Sequence, residues 1–121
     1  MTEASVQARV RLAAARAGDA LWRNNVGAGY LSGGAFVRFG LANDSAAVNA
    51  NLKSADLIGI RPVLVTPEHV GTIIGRFVSR ECKTAGWRFH PNDEREAAQQ
   101  RWADLVNRLG GDAAFSTGDY P

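Results

Sequence analysis

Cysteine occurs once, at Cys82. A single thiol excludes an internal disulfide and a multi-cysteine zinc site. Histidine is nearly as scarce: His69 and His90 sit near prolines in expected turns. Neither has the short helical spacing of paired metal ligands, which argues against a zinc site or a histidine nuclease. No apolar run approaches the ~20 residues of a membrane span. The opening Met1-Thr2-Glu3-Ala4-Ser5 has no basic stretch leading into an apolar block of the export type. Together with the single cysteine, these absences predict a soluble, cytoplasmic protein with no membrane partner. Gly33-Gly34 lacks the lysine and hydroxyl residue that would complete a phosphate-binding P-loop.

Lysine is the other rarity, because Lys53 and Lys83 are the only two among 14 basic residues. Arginine makes planar, two-pronged contacts to phosphate and stacks on bases, so the arginine surplus makes nucleic acid a plausible partner. The same surplus also fits ordinary solvated surface charge, since the formal net charge is only +2. A length of 121 residues fits one domain, 1–121, able to bury a core but too short for two.

Val6, Val10, Ala13, Ala14 and Ala17 recur at helical spacing and predict a helix over 3–17, opened by Thr2 and stopped at Gly18. Ala20 to Arg23 reads as a short strand, and Asn24, Asn25, Gly27 and Gly29 as a loop. A further strand is expected over 35–40, then a polar surface loop over 41–54. The apolar run from Asp56 to Val65 is of strand type, broken at Pro62. Thr72 to Lys83 forms the longest strand candidate and is apolar on both faces, as a central strand would be. Asp93 and Glu96 match a capping box for a second long helix, with Ala98, Trp102, Leu105, Val106 and Leu109 as its buried face. Gly110-Gly111 ends that helix and Asp112 to Thr117 reads as a last strand. The order predicts an α/β fold in which helices flank a mixed central sheet.

The chemistry concentrates at Glu81-Cys82-Lys83. The strand period of two puts Glu81 and Lys83 on one face and Cys82 on the other. Such a pair is also a common stabilising contact on an exposed strand. Asp56 adds a second carboxylate at the start of the preceding strand. Phosphodiester hydrolysis needs a cation against the scissile phosphate, an activated water and a donor for developing negative charge. Magnesium is commonly held by one or two carboxylates plus substrate oxygens, a requirement Asp56 and Glu81 meet. Lys83 is then placed to orient or help deprotonate water, or to stabilise the transition state. Two polar residues lie on faces expected to be buried: Glu3 on the first helix and Gln99 on the second. A first-turn acid favourable to the helix dipole and a boundary glutamine bonded to backbone are their structural alternatives. Arg23, Asn24 and Asn25 border the glycine-containing loop and are candidates for phosphate contact, with turn chemistry as the competing explanation. Cys82 reads as a small buried hydrophobe and Trp102 as core; Tyr30, Trp87 and Phe89 read as core or loop anchors, with stacking on unpaired bases beside Arg88 as the alternative.

These residues fall into a pattern that resembles the virus-type replication-repair nuclease (VRR-NUC) domain, a compact branch of the PD-(D/E)XK phosphodiesterase superfamily. The resemblance covers most of the chain. It runs through Glu3, Trp22-Arg23-Asn24-Asn25 with Gly27 and Gly29, Ser54-Ala55-Asp56-Leu57-Ile58-Gly59, Glu81-Cys82-Lys83, Gln99-Gln100-Arg101-Trp102 and Leu109-Gly110-Gly111-Asp112-Ala113. It implies a restriction-endonuclease-like core. It also implies a Mg2+ site, with Mn2+ as substitute, formed by Asp56, Glu81, the backbone carbonyl of Cys82 and Glu3. Lys83 would be the catalytic lysine, and Gln99 would stand beside the site. The implied activity is endonucleolytic hydrolysis of DNA, with branched substrates such as flaps or four-way junctions, in phage-type replication, recombination or repair. Junction cleavage further implies a homodimer. The competing expectation is a catalytically inactive nucleic-acid-binding or assembly module on the same fold.

Overall fold

In the computed structural model, which describes residues 2–118 and Tyr120, Thr2 opens helix α1 (Glu3–Arg16). The Thr2 hydroxyl accepts the Ser5 backbone N–H at 3.1 Å, satisfying one of the free donors of the first turn. Gly18, with φ of 87°, takes the left-handed turn that ends the helix. The chain divides into two compact units, Met1–Gly59 and Ile60–Pro121.

The first unit holds α1 with strands β1 (Ala20–Arg23), β2 (Gly27–Tyr30) and β3 (Phe36–Phe39), then helix α2 (Ala46–Asn51) and the start of β4 (Leu57–Ile60). β4 pairs with β1. Their closest approach demands glycine, because a Cβ at Gly59 would collide with the Ala20 carbonyl. β2 and β3 form an antiparallel hairpin in which Gly27 faces Phe39. The valine stripe expected to be buried on α1 is not: Val6 and Val10 stay exposed. The groove between helix and strand is lined instead by Ala8, Arg11 and Ala15 against Ala20 and Leu21, where small side chains permit close approach. The expected 24–29 loop is partly strand β2, and the expected 41–54 loop contains α2, capped by the Ser45 hydroxyl on the Val48 N–H at 3.2 Å.

The second unit is a strand–helix–strand element. After a 3-10 turn at Pro67–His69, β5 (Val78–Cys82) leads through α3 (Glu94–Arg108) to β6 (Asp112–Ser116). β5 and β6 pair in parallel, with Ser79 opposite Ala113 and Glu81 opposite Phe115. A parallel pair needs a crossover of this length, and the helix supplies it. Asp93 caps α3 by accepting the Glu96 N–H at 3.0 Å, but the other half of the expected capping box is not made, because the Asp93 N–H bonds to the His90 carbonyl and the Glu96 carboxylate turns to His90. At the other end Gly110 adopts φ of 94°, and the Arg76 guanidinium donates to the Gly110 and Gly111 carbonyls at 3.1 Å each. Gly111 must lack a side chain, because a Cβ would lie 2.6 Å from the Val106 methyl. The core joins Ala103 and Val106 of α3 to Ala113 of β6, with Ile60 and Phe77 packed against them.

The α/β class holds, but the strands of the described residues pair in three two-stranded sheets rather than one mixed central sheet. The long strand expected over 72–83 is regular only from Val78 to Cys82. Ile73 is 100% exposed, and residues 72–77 have no strand structure to cover it. The face of α3 is also turned relative to expectation. Glu96, Ala103 and Val106 are its buried residues, whereas Ala98 is exposed and Trp102 keeps 37% of its surface. Cys82 is exposed rather than buried, and Tyr30 stands out at 78% exposure. No helix among the described residues is long and apolar enough to cross a membrane.

Candidate functional site

The two-residue period of β5 lines up Ser79, Glu81 and, just past its end, Lys83 toward α3. Each finds its partner there or beside it. The Trp102 indole N–H donates to the Ser79 hydroxyl at 2.9 Å. The Gln99 amide nitrogen donates to Glu81 Oε1 at 2.6 Å, and Lys83 Nζ donates to Gln99 Oε1 at 2.9 Å. Lys83 Nζ itself lies 3.8 Å from Glu81 Oε1. The three side chains therefore close a ring.

The chemistry of the ring fixes the orientation of the amide. A carboxylate can only accept and an ammonium can only donate, so Gln99 must turn its NH2 to Glu81 and its carbonyl to Lys83. A glutamate in its place would put a second negative charge against Glu81. An alanine would leave the pair without a bridge. The ring is unevenly covered: the Lys83 side chain is 18% exposed and the Glu81 side chain 44%. The carboxylate is thus presented to solvent while the ammonium is held beneath it. Both of the ring's contacts to the Glu81 carboxylate are made to Oε1.

Aromatic rings enclose the lysine on its other side. Nζ lies 5.6 Å from the Trp87 ring centroid and 5.9 Å from that of Phe115, within the range of cation–π attraction. Trp87 and Phe115 stack at 4.8 Å, and Phe89 meets Phe115 at 5.9 Å. The loop carrying Trp87 and Phe89 is tied to α3 by buried Glu96, whose carboxylate accepts the His90 backbone N–H at 3.0 Å and the His90 ring Nδ1 at 2.9 Å. Burial works to raise the Glu96 pKa, but these His90 contacts outweigh it and hold the carboxyl below its usual range.

The structure brings together Glu81, Lys83 and Gln99. The side chain of Cys82 stands on the opposite face of the strand. Glu3 and Asp56 belong to the first unit, and both are exposed. Glu3 lines a groove with Gln7, Arg11 and Arg23, so it is not a buried-stripe acid. Asp56 lies at the bend before β4, where its backbone carbonyl accepts the Asn24 N–H at 2.8 Å. Asn24 is wholly engaged by the chain: its amide donates to Ser54 Oγ at 2.8 Å and the Ala55 carbonyl at 2.9 Å, and its oxygen accepts the Leu41 N–H at 3.2 Å. It therefore shapes the segment that carries Asp56. Arg23 reaches Asn25 at 3.4 Å and is otherwise open to solvent. Among the described residues, neither unit contains a group of three or more His, Cys, Asp or Glu side chains able to hold a metal.

Sequence reasoning missed Trp87 and Phe115 beside Lys83 and the Ser79–Trp102 bond. Ser79 was detectable, because it precedes Glu81 by two residues on the same strand. Phe115 required the parallel register. Comparison with known protein families, curated proteins and solved structures returns no match to this chain.

Proposed function

We propose that this chain is a metal-dependent nuclease of the PD-(D/E)XK type, hydrolysing DNA phosphodiester bonds, as its resemblance to the VRR-NUC domain implies. The observation that carries the reading is the amide of Gln99 spanning Glu81 and Lys83, which holds a carboxylate and an ammonium side by side on one strand. A stabilising surface pair would not need a third residue to bridge it from a helix.

Glu81 offers a hard oxygen ligand, of the kind magnesium or manganese takes while retaining waters and substrate oxygens. A bound divalent ion would offset charge on the scissile phosphate. Lys83 keeps its ammonium protons close to that carboxylate, where one can be donated to a developing negative charge. Gln99 fixes both groups, and Trp87 with Phe115 shields the lysine from water. Asp56, Glu3 and the Cys82 carbonyl retain the metal-ligand role that the resemblance gives them, and a restriction-endonuclease-like core, branched DNA as substrate, a homodimer and a cytoplasmic setting belong to the same proposal. Arg23 and Asn25 are assigned to the phosphate backbone.

The test is cleavage of flap and four-way-junction DNA by the purified protein with added Mg2+ or Mn2+. Glu81→Ala and Lys83→Ala are expected to lower the rate by ~10²–10⁴, with melting temperatures near that of the unsubstituted protein. Asp56→Ala tests the second carboxylate in the same assay. Undiminished cutting by both the Glu81 and Lys83 variants would overturn the site, and junction binding without any cutting would favour the non-catalytic binding module.

A further inference from the structure

Next to the Glu81–Gln99–Lys83 ring, a cavity of about 340 Å³ opens between α3 and the β5–β6 pair. Its size falls within the ~300–1,000 Å³ of small-ligand sites. One wall is the Trp102 indole, pinned by the 2.9 Å bond from its N–H to Ser79 and backed edge-on by Phe77 at 6.4 Å between ring centroids. The indole is thus fixed in place yet 37% exposed. Ala98, one turn before it on α3, and Ala113 on β6 line the same cavity, and their small side chains leave the space beside the ring open. Arg95 stands at the exposed rim, and Glu81 and Gln99 line the same cavity.

Each feature restricts the ligand. A fixed, part-exposed aromatic wall with open space beside it suits a flat ring system. Polar groups at one end call for a ligand whose edge carries donors and acceptors. A guanidinium at the mouth suits an anionic chain attached to that ring. The Lys83 ammonium, 3.8 Å from Glu81 Oε1, offsets the charge of the carboxylate at this end of the cavity.

We propose that this cavity receives an unpaired nucleobase of single-stranded DNA, stacked on Trp102, with Arg95 against the backbone phosphate. The inference rests on the nuclease reading and deepens it: a strand seated in this way would run past the Glu81–Lys83 pair, so the preferred substrates would carry unpaired nucleotides.

The experiment measures fluorescence anisotropy of a labelled oligothymidylate and of an otherwise identical strand of abasic nucleotides, both without divalent metal. The unsubstituted protein is expected to bind the base-bearing strand about tenfold more tightly, in line with the strength of base–aromatic stacking. Ala98→Phe, at an exposed helix position, fills the cavity from its open side and is expected to abolish that preference while circular dichroism shows the fold retained. Trp102→Ala should do the same if it folds. Equal binding of the two strands by the unsubstituted protein, a preference that survives Ala98→Phe, or no binding of either strand would each overturn the proposal. Cleavage with Mg2+ is scored separately. A base preference without cutting keeps the cavity assignment and removes the nuclease, whereas cutting without a base preference does the reverse.

Discussion

Side-chain amides are prominent in both units, and Asn43 of the first and Gln99 of the second are used in opposite ways. In the first unit Asn43 is only 3% exposed. Its amide donates to the carbonyls of Gly27 at 2.7 Å and Phe39 at 2.9 Å, and its oxygen accepts from Arg38 at 3.1 Å. Asn24 likewise bonds mainly to backbone. These asparagines satisfy main-chain groups that the short strands leave unpaired. In the second unit Asn107 does the same for Ala113, exchanging two bonds with its backbone at 2.8 and 3.0 Å. Gln99 differs from these three, because it bridges two ionisable side chains of opposite charge. An amide that bonds to backbone holds the fold, whereas one that joins a carboxylate to an ammonium holds a pair of charges whose proximity the fold does not itself require.

If that distinction is real, stability and activity should separate. Among the amides, the largest effect on cleavage is expected at Gln99→Met, which preserves the length of the side chain but cannot bridge. Cleavage should fall by about 10- to 100-fold, the usual cost of removing a group that orients a reacting residue, with the melting temperature nearly unchanged. A variant that unfolds with its loss of activity would place Gln99 with the asparagines. The converse is expected at Asn43→Ala. The half-buried bonds to the Gly27 and Phe39 carbonyls and the bond from Arg38 are lost together, at a cost of about 2–3 kcal/mol. The melting temperature should drop by roughly 8–15 °C in calorimetry, with the cleavage rate preserved well below the transition. Loss of cutting in a still-folded Asn43→Ala protein would break the comparison from the other side.

How much of this could be read in the sequence follows from the range of the interactions involved. The caps of α1 and α3, the glycine stop at Gly110 and the shared face of Glu81 and Lys83 depend on residues a few positions apart, and all are legible. β2 was not, because Gly27 and Gly29 signal a loop. In the hairpin the Phe39 ring lies so close over Gly27 that a Cβ there would be 2.5 Å from it, so the absence of a side chain suits the strand. α2 was hidden by its asparagines, and only Ser45 marks its start. The turn of α3 escaped because a buried glutamate defies hydrophobic periodicity. Glu96 is inside because His90, six residues earlier, bonds to it. The strand expected over 72–77 failed for the opposite reason: its apolar residues have the right composition but no neighbouring strand to pair with. Gln99 was singled out for lying on a buried face, but its two partners became visible only through packing.

Glu96 also provides the smallest and most local test of the contrast, together with Asp112. The hydrogen bond from the Arg80 guanidinium lowers the Asp112 pKa against the opposing effect of burial, and the charges of Arg80 and Arg76 add to the lowering. Both carboxyls are therefore held below their unfolded values. A depressed pKa means that the unfolded chain takes up protons first as pH falls, so the stabilisation is complete above the unfolded pKa and is lost as pH drops through the folded one. Melting temperatures measured from pH 7 to pH 3 should show a gap between the unsubstituted protein and Asp112→Asn that is constant down to about pH 5, and the gap to either Asp112→Asn or Glu96→Gln should shrink below about pH 4. Parallel curves across the whole range would mean that the substitutions act through packing rather than charge. The two carboxylates would then be structural in the same sense as Asn43, in contrast to the Glu81–Lys83 pair.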